Sequence, residues 1–233
     1  YQNLAYENYL LRHCWRNRYH LFLWQSLPSV VIGRFQNPLR ECDLHYVNQH
    51  NTLLVRRQSG GGAVYHDQGN LNFSLIADND FFDQELNHQL ILKLLSDFNL
   101  EGEFNQYSSL FVEGKKISGG AFKKSKDATL YHGTLLISSN LKHLRNHLRV
   151  DDRVTNSLAI TSKPSSVINL DQLNSQITVK SATEKLRQIF CHSLASLGYR
   201  SGPPVPIGSV ELKQSAGVGE YLTKLMDEEW IYD

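Results

Sequence analysis

The sequence predicts one α+β domain with a mostly antiparallel sheet flanked by helices. Three observations lead to this fold class. Short strand-like segments fill most of the chain, segments with helical periodicity interrupt them, and no repeat, low-complexity tract or linker divides the 233 residues. A chain of this length can bury a substantial core, so we expect a single domain over residues 1–233.

The first part of the chain predicts a helix followed by three strands. "NLAYENYLLRH" (3–13) looks helical, whereas "HLFLW" (20–24) and "SVVIGR" (29–34) are rich in β-forming residues and are separated by Pro28. We therefore expect two consecutive strands joined by a turn. "NTLLVRR" (51–57) predicts a third strand that runs into three glycines.

The middle of the chain switches between the two periodicities. Between residues 71 and 75, large apolar residues alternate with polar ones, which predicts a half-buried strand. Apolar residues then recur at helical spacing over residues 86–98, which predicts an amphipathic helix. "SLFVEGKKISGGAFK" (109–123) and "ATLYHGTLLIS" (128–138) predict further strands joined by a glycine-containing loop.

The last part of the chain is predicted to be mainly helical. A second strong helix is expected over residues 182–197, with Ser181 and Glu184 forming a capping box and Gly198 ending the helix. A final helix is expected near residues 216–226.

Composition restricts the classes of function. The formal net charge of +1 provides no field that favours nucleic acid or an acidic membrane surface, and no apolar run could span a bilayer. Cys14, Cys42 and Cys191 are odd in number and widely spaced, so we expect neither a disulfide framework nor a metal site. The cysteine usage indicates a reducing compartment, so we expect a cytoplasmic protein, or a mitochondrial one if a transit peptide before Tyr1 has been removed.

The run Gly60, Gly61 and Gly62 is the most unusual local feature. Consecutive glycines are costly in backbone entropy, so they indicate positive φ angles or a close approach to the backbone. No helix follows with the spacing of a P-loop or a dinucleotide fingerprint. Uncovered backbone N–H groups could bind an anion here, with Arg56 or Arg57 as a charged partner, but a purely structural turn is an equal alternative.

The stretch "RRQSGGGAVYHDQGNLN" (56–72) closely resembles the signature of the lipoate–protein ligase A family. The resemblance extends over nearly the whole chain, because "NLAYE", "VVIGRFQNPLREC", "KKISGGAFK", "YHGTLL" and "EWIY" follow in that family's order. It implies the large catalytic domain of the biotin–lipoate ligase superfamily, a fold similar to class II aminoacyl-tRNA synthetases.

The resemblance implies a two-step reaction. Lipoate and ATP, with Mg²⁺, form lipoyl-adenylate and pyrophosphate, and the acyl group then passes to a lysine of a lipoyl domain. The acceptors implied are the E2 subunits of 2-oxoacid dehydrogenases and the H protein of glycine cleavage. The family pattern also implies a small C-terminal accessory domain that this chain lacks after "EWIYD", so a separately encoded accessory domain is a possible partner.

The resemblance also assigns site residues, with Lys116 as the catalytic side chain. A compact ammonium between the acyl carbonyl and the phosphate would stabilise the charge that develops on both, while Lys115 points to the opposite strand face. Contacts with ATP or lipoyl-adenylate are assigned to Arg57, Ser59, Gly60, Gly61, Gly62, Ala63, Val64, Tyr65, Lys116, His132 and Thr134. Contacts with lipoate are assigned to Gly61, Gly62, His66, Lys116 and Gly119. Apolar candidates for the acyl tunnel are Phe35, Val64, Tyr65 and Leu71.

One departure from the family pattern weakens the nucleotide assignment. Many relatives carry an Asn-Asp pair shortly before the key lysine, where this chain has Ser108 and Ser109. The missing carboxylate puts contacts to ATP or its magnesium in doubt.

Three alternative functions remain open from the sequence. A lipoyltransferase that accepts preformed lipoyl-AMP would tolerate a weak ATP site. An octanoyl or lipoyl transferase from a carrier protein would need a cysteine nucleophile, but Thr155, Ser157, Thr161 and Ser162 occupy the expected stretch. A non-catalytic binder of lipoate or of lipoyl domains is the third alternative.

Overall fold

A computed structural model describes the chain over residues 1–14, 17–149, 159–200, 202, 204–205 and 216–232. Within these residues, two sheets are flanked by helices, and most strand pairs are antiparallel, which confirms the predicted fold class. None of the helices in the described part of the chain is long and apolar enough to cross a membrane.

The larger sheet has six strands in the order β1-β5-β9-β8-β7-β6, with antiparallel neighbours throughout. Its strands are β1 Tyr19–Trp24, β5 Asn70–Asp78, β6 Glu103–Phe104, β7 Ser109–Val112, β8 Lys115–Lys124 and β9 Ala128–Leu136. The predicted glycine-containing loop is wrongly placed. The turn lies inside the segment 109–123, where Glu113 (φ 50°) and Gly114 (φ 72°) join β7 to β8.

The smaller sheet has three strands in the order β3-β2-β4. They are β2 Ser29–Ile32, β3 Leu53–Arg56 and β4 Val64–His66, and β2 pairs parallel to β3 and antiparallel to β4. β1 and β2 therefore belong to different sheets, although the sequence predicted only a turn between them. The glycine run joins β3 to β4, which are separated by β2.

The helices cover both faces of the larger sheet. They are α1 Gln2–Arg12, α2 Pro38–Glu41, α3 Leu44–Gln49, α4 Gln84–Ser96, α5 Leu141–His147, α6 Leu170–Leu173, α7 Val179–Ser196, α8 Ala216–Met226 and α9 Glu228–Tyr232. The predicted capping box is misplaced by three residues, because α7 is capped by Thr178, which accepts a hydrogen bond from the Ser181 N–H.

The main core lies between the larger sheet and the pair α4 and α7. Its central side chains include Phe73, Tyr131, Leu94 and Leu186, all fully or almost fully buried. A second cluster on the other side joins α1 and α8 to both sheets. Because helices cover both faces, β5 is buried almost throughout its length, and the half-buried strand predicted between residues 71 and 75 is wrong in this respect.

Candidate functional site

Two neighbouring cavities lie where the two sheets approach each other. The larger cavity has a volume of about 540 Å³ and extends from Lys116 inward to Trp24 and His66. The smaller cavity has a volume of about 230 Å³ and is bordered by α5. Both are lined by Ala63, Val64, Lys116, Gly119, Thr134 and residues 162–165. Together they form one bifurcated site with Lys116 at the junction.

The glycine run forms part of the wall between the two sheets. Gly61 has a φ of 88°, a left-handed conformation that other residues adopt at a cost. A Cβ at Gly62 would lie 2.9 Å from the Ser162 hydroxyl oxygen, whereas a Cβ at Gly60 would meet no atom within 4 Å. The three glycines therefore have different constraints, and close packing is greatest at the third.

Arg57 holds this glycine loop from behind. Its Nη2 donates to the carbonyl oxygens of Gly60 at 2.6 Å and Gly62 at 2.8 Å. Its Nη1 donates to the Val31 carbonyl at 3.0 Å, and its Nε donates to the Ser59 hydroxyl at 3.0 Å. Each guanidinium nitrogen is thus engaged by protein oxygens, and the phosphate contact assigned to Arg57 from the family resemblance stays a prediction.

A buried hydrogen-bond chain continues from Arg57 into the core. The Ser59 hydroxyl lies 2.7 Å from Nε2 of His132, and Nδ1 of His132 lies 2.8 Å from a carboxylate oxygen of Glu7. Burial lowers the pKa of Arg57 to about 10, and the negative charge of Glu7 opposes that decrease. The loop is therefore connected to an acidic side chain of α1.

Lys116 lies across the cavity from the glycine loop, near the start of β8. Among the described residues, no carboxylate is within ion-pairing distance of its ammonium group, and burial lowers its pKa. The side chain lies along Gly119, where an added Cβ would be 3.4 Å from Nζ. Lys115 is exposed, as the alternation of strand faces predicted.

A segment that sequence reasoning did not assign to the site covers the glycine loop. The Ser162 hydroxyl accepts a hydrogen bond from the Ala63 N–H at 2.8 Å and from the Gln36 amide at 3.0 Å. The Ser162 N–H donates to a carboxylate oxygen of the buried Glu41 at 3.0 Å. One of the backbone N–H groups expected to be open for an anion is therefore occupied by a serine.

Lys163 and Tyr107 form a contact between this segment and the β6–β7 turn. The Lys163 ammonium lies 4.4 Å from the centroid of the Tyr107 ring and 3.3 Å from its hydroxyl oxygen. Both residues line the larger cavity. Lys163 also borders the smaller cavity, where it and Arg145 add to the positive charge of Lys116.

The inner end of the larger cavity is mainly apolar. Leu4, Trp24, Val31 and Phe73 line it together with His66, whose side chain stands edge-on to Trp24 with ring centroids 5.6 Å apart. Neither ring nitrogen of His66 has a hydrogen-bond partner among the described residues. Burial, followed by the charge of Arg57, lowers the pKa of His66 to about 3, so the ring is uncharged at neutral pH.

Most of the residues assigned from the sequence come together here. The larger cavity is lined by Arg57, Gly61, Gly62, Ala63, Val64, His66, Lys116, Gly119, His132 and Thr134. Tyr65 lines the smaller cavity, while Ser59 and Gly60 line neither cavity. Two tunnel candidates do not belong to the site, because Leu71 is part of the main core and Phe35 is 55% exposed at the surface.

Three functional candidates were missed by sequence reasoning. Glu7 carried a detectable signal, because it shares a helical face with the apolar residues Leu4 and Leu11. Glu41 carried none, and Ser162 was noted only as lying where a transferase cysteine is expected, since the proximity of both to the glycine loop depends on contacts between distant parts of the chain.

The serine pair and the cysteines can also be located. Ser109 lines the larger cavity, and Ser108 lies behind it with a φ of 53° in the β6–β7 turn.

Burial raises the pKa of Cys42 to about 12 and that of Cys14 to about 11. None of the three cysteines lines either cavity. Thr155 and Ser157 lie outside the described residues.

Within the residues that the structure describes, no group of three or more His, Cys, Asp or Glu side chains could hold a metal ion. Glu41 is the one carboxylate among the described lining residues of the two cavities. A magnesium ion at this site would therefore depend on oxygen ligands from a bound phosphate, which is the usual arrangement for Mg²⁺ with nucleotides.

Comparisons with known proteins agree with the resemblance. The model of the lipoyl protein ligase A/B catalytic domain matches residues 1–191. A lipoate-protein ligase A of Psychrobacter cryohalolentis is 32% identical over 231 residues, which cover 99% of this chain and 68% of that protein. The structure of P. falciparum LipL1 in complex with lipoate is 30% identical, with a TM-score of 0.86, over 99% of this chain and 70% of that one. A bi-partite lipoate protein ligase from Thermoplasma acidophilum, described with its E2 lipoyl domain, is 25% identical, with a TM-score of 0.79, over 99% of this chain and 91% of that one.

Proposed function

We propose that this chain, which belongs to the lipoyl protein ligase A/B catalytic domain family, attaches lipoate to a lysine of a lipoyl domain through a lipoyl-adenylate. The chain is an enzyme of the lipoate–protein ligase type. The observation that carries the mechanism is the position of Lys116, a half-buried cation at the junction of two cavities, with no carboxylate partner among the described residues.

The two cavities suit the two halves of a lipoyl-adenylate. The inner end of the larger cavity, with Leu4, Trp24 and Phe73, matches the apolar acyl chain and dithiolane ring. We assign the nucleotide to the smaller cavity, where Lys163 and Arg145 add to the positive charge of Lys116. Leu144 and Leu148 supply apolar contacts for a base there. The bond between acyl group and phosphate then lies beside Lys116.

Lys116 would stabilise charge in both steps. When a carboxylate oxygen of lipoate attacks the α-phosphate of ATP, pyrophosphate leaves and negative charge increases around the phosphorus. When the acceptor amine attacks the acyl carbon, negative charge develops on the carbonyl oxygen. The bond from the acyl carbon to the phosphate oxygen then breaks, AMP leaves, and the proton of the amine passes to water. An ammonium group that is already held between the acyl carbonyl oxygen and a phosphate oxygen stabilises these negative charges more in the transition state than in the substrate.

The source of the lipoyl group is either lipoate with Mg-ATP or preformed lipoyl-AMP. Because Ser109 lines the cavity where many relatives carry an aspartate, this chain provides fewer ligands for ATP-bound Mg²⁺. We expect the chain to use preformed lipoyl-AMP more efficiently than lipoate with Mg-ATP. The lipoyl-AMP transferase activity is therefore the second candidate, and it uses the same cavities and the same lysine.

The test is to incubate the chain with an apo lipoyl domain and one of three donors, and to measure modification by intact mass. The donors are lipoate with Mg-ATP, synthetic lipoyl-AMP, and octanoyl-carrier protein. Modification from lipoyl-AMP supports the proposed site, and the rate with Mg-ATP ranks the two candidates. Modification from octanoyl-carrier protein alone would overturn the proposal, because it requires a thioester route.

The structure disfavours such a thioester route. Burial keeps the thiols of Cys42 and Cys14 protonated at neutral pH, and a thiol is a much poorer nucleophile than a thiolate. Neither residue, nor Cys191, faces the cavities. The rival transferase that uses a cysteine therefore has no candidate nucleophile among the described lining residues.

A further inference from the structure

The hydrogen-bond chain behind the glycine loop has a direction that the geometry determines. Arginine can only donate, so Arg57 Nε donates to the Ser59 hydroxyl, and that hydroxyl has one hydrogen of its own to donate. At the other end, the indole of Trp24 donates to Ser74 at 3.3 Å, and Ser74 donates to the Glu7 carboxylate at 2.6 Å. The two ends of the chain are thus oriented independently of His132.

His132 completes the chain when its Nδ1 carries the ring hydrogen. Nδ1 then donates to the Glu7 carboxylate at 2.8 Å, and Nε2 accepts from the Ser59 hydroxyl at 2.7 Å. Each donor hydrogen along the chain from Trp24 to Arg57 then forms one hydrogen bond, and each has an acceptor. With the hydrogen on Nε2 alone, Nδ1 would face the carboxylate without a proton, and two acceptors would repel each other.

We propose that Glu7 is a positioning residue that sets the shape of the glycine loop through His132, Ser59 and Arg57. Glu7 is 2% exposed and sits on α1, which packs over β5 and β9. It supplies the negative charge that compensates the buried Arg57, and Arg57 in turn holds the carbonyls of Gly60 and Gly62. The loop therefore keeps one conformation before any substrate binds.

The similarity of Ser59, His132 and Glu7 to a Ser-His-acid triad does not indicate a nucleophile. The distances of 2.7 and 2.8 Å match that arrangement, but Ser59 is 2% exposed and lines neither cavity. Its oxygen also accepts from Arg57, which lowers the electron density available for attack. Both ring nitrogens of His132 are occupied, so this residue presents only its ring surface to the cavity.

The main test uses Glu7→Gln, which keeps the side-chain shape and removes the charge. A glutamine can donate to Nδ1, so we expect the His132 hydrogen to move to Nε2. In the ligand-free protein labelled with ¹⁵N-histidine, long-range ¹H–¹⁵N correlations report the tautomer, and His132→Asn identifies the signal. The matched control is Glu85→Gln, the same chemical change on α4, with no expected effect.

The kinetic readout is transfer from lipoyl-AMP to an apo lipoyl domain, and this part of the test rests on the proposed function. Misplacing a binding loop by about 1 Å can cost about 100-fold, so we expect kcat/KM to fall by about that factor in Glu7→Gln, mainly through KM. Ser59→Ala interrupts the same chain without changing charge and should show the same KM effect, even if Glu7→Gln does not fold.

The outcomes separate this inference from the proposed function. An Nε2-protonated His132 in the unaltered protein, or unchanged kinetics in both Glu7→Gln and Ser59→Ala, would overturn the positioning role. A fall in kcat with KM unchanged would also contradict it, because the loop acts on binding. If the unaltered chain transfers nothing, the proposed function fails, while the tautomer of His132 still decides whether Glu7 orients the chain.

Discussion

The two walls of the larger cavity are built in opposite ways. On one wall, the carbonyls of Gly60 and Gly62 and all three guanidinium nitrogens of Arg57 take part in internal hydrogen bonds. On the other wall, Lys116 has no carboxylate partner among the described residues. Both side chains are cations in a partly desolvated setting, but only Arg57 has a compensating charge, that of Glu7.

This difference indicates how the two walls divide the work. The glycine loop has to keep its shape before substrate binds, and internal hydrogen bonds to its carbonyls favour this. The conformational entropy of the loop is then lost during folding and does not reduce the affinity for the ligand. A group that must stabilise a developing negative charge gains from having no protein partner, since any such partner would compete with the substrate. The following predictions test this division, from the largest expected effect to the smallest.

The largest effect is expected at the wall of the larger cavity that contains Lys116. Lys116→Ala should lower kcat/KM for transfer from lipoyl-AMP by about 100- to 1000-fold, because it removes a charge used in the transition state. The melting temperature should be unchanged or higher, since burial of this ammonium group is unfavourable. Lys115→Ala is the matched control, because its side chain is exposed on the other face of the same strand. Equal losses in the two variants would show that the strand register is wrong.

A smaller effect is expected at the opposite wall, which is formed by the glycine loop and Arg57. Gly62→Ala places a methyl group 2.9 Å from the Ser162 hydroxyl oxygen and should displace residues 159–165, which raises KM for lipoyl-AMP by about tenfold. Gly60→Ala is the control, because its methyl group meets no atom within 4 Å. Binding can be followed by calorimetry alongside thermal unfolding. If Gly62→Ala only lowers the melting temperature, the glycine loop is structural and does not shape the ligand site.

A third prediction concerns pH and the inner end of the cavity. The pKa of His66 decreases from 6.5 to about 3 on folding. The stability that the folded protein gains from keeping this ring uncharged is therefore complete above pH 6.5 and is lost as the pH falls toward 3. His66→Gln should therefore reduce the slope of unfolding free energy against pH by about 1.4 kcal/mol per pH unit between pH 4 and 6. Urea unfolding at several pH values measures this slope. An unchanged slope would mean that water or another group reaches the imidazole.

The smallest effect is expected from the cysteines, which lie outside both walls. The variant with Cys14→Ser, Cys42→Ala and Cys191→Ala should keep transfer from lipoyl-AMP within about twofold, because none of the three cysteines lines either cavity. The raised pKa values of Cys14 and Cys42 also make these two thiols poor nucleophiles. Cys42→Ala removes a buried side chain and should cost about 1 kcal/mol of stability. A covalent octanoyl adduct on any of these cysteines in the unaltered protein would contradict this prediction.

Features that depend on local spacing were predicted well from the sequence. The period of two in a strand places Lys115 and Lys116 on opposite faces whatever surrounds them, and helical spacing was sufficient to locate α4 and α7. Glycine lacks a Cβ, so the run at residues 60–62 already indicated an unusual loop. Element ends were less accurate, as the cap of α7 at Thr178 illustrates, because neighbouring hydroxyl residues are nearly equivalent caps.

Features that depend on distant contacts were decided only by the tertiary structure. The sequence could not separate β1 and β2 into different sheets, because each has the same local β-forming pattern. Glu7 and His132 are 125 positions apart, and Ala63 and Ser162 are 99 positions apart, yet each pair forms a hydrogen bond. The residues that form the site were largely assigned through the resemblance to the lipoate–protein ligase A family, whereas local periodicity and glycine geometry indicated only the unusual loop at residues 60–62 and the strand face of Lys116. Packing decided that Arg57 is engaged by internal hydrogen bonds while Lys116 has no carboxylate partner within the described part of the chain, because partners far apart in the sequence meet only when the sheets and helices assemble.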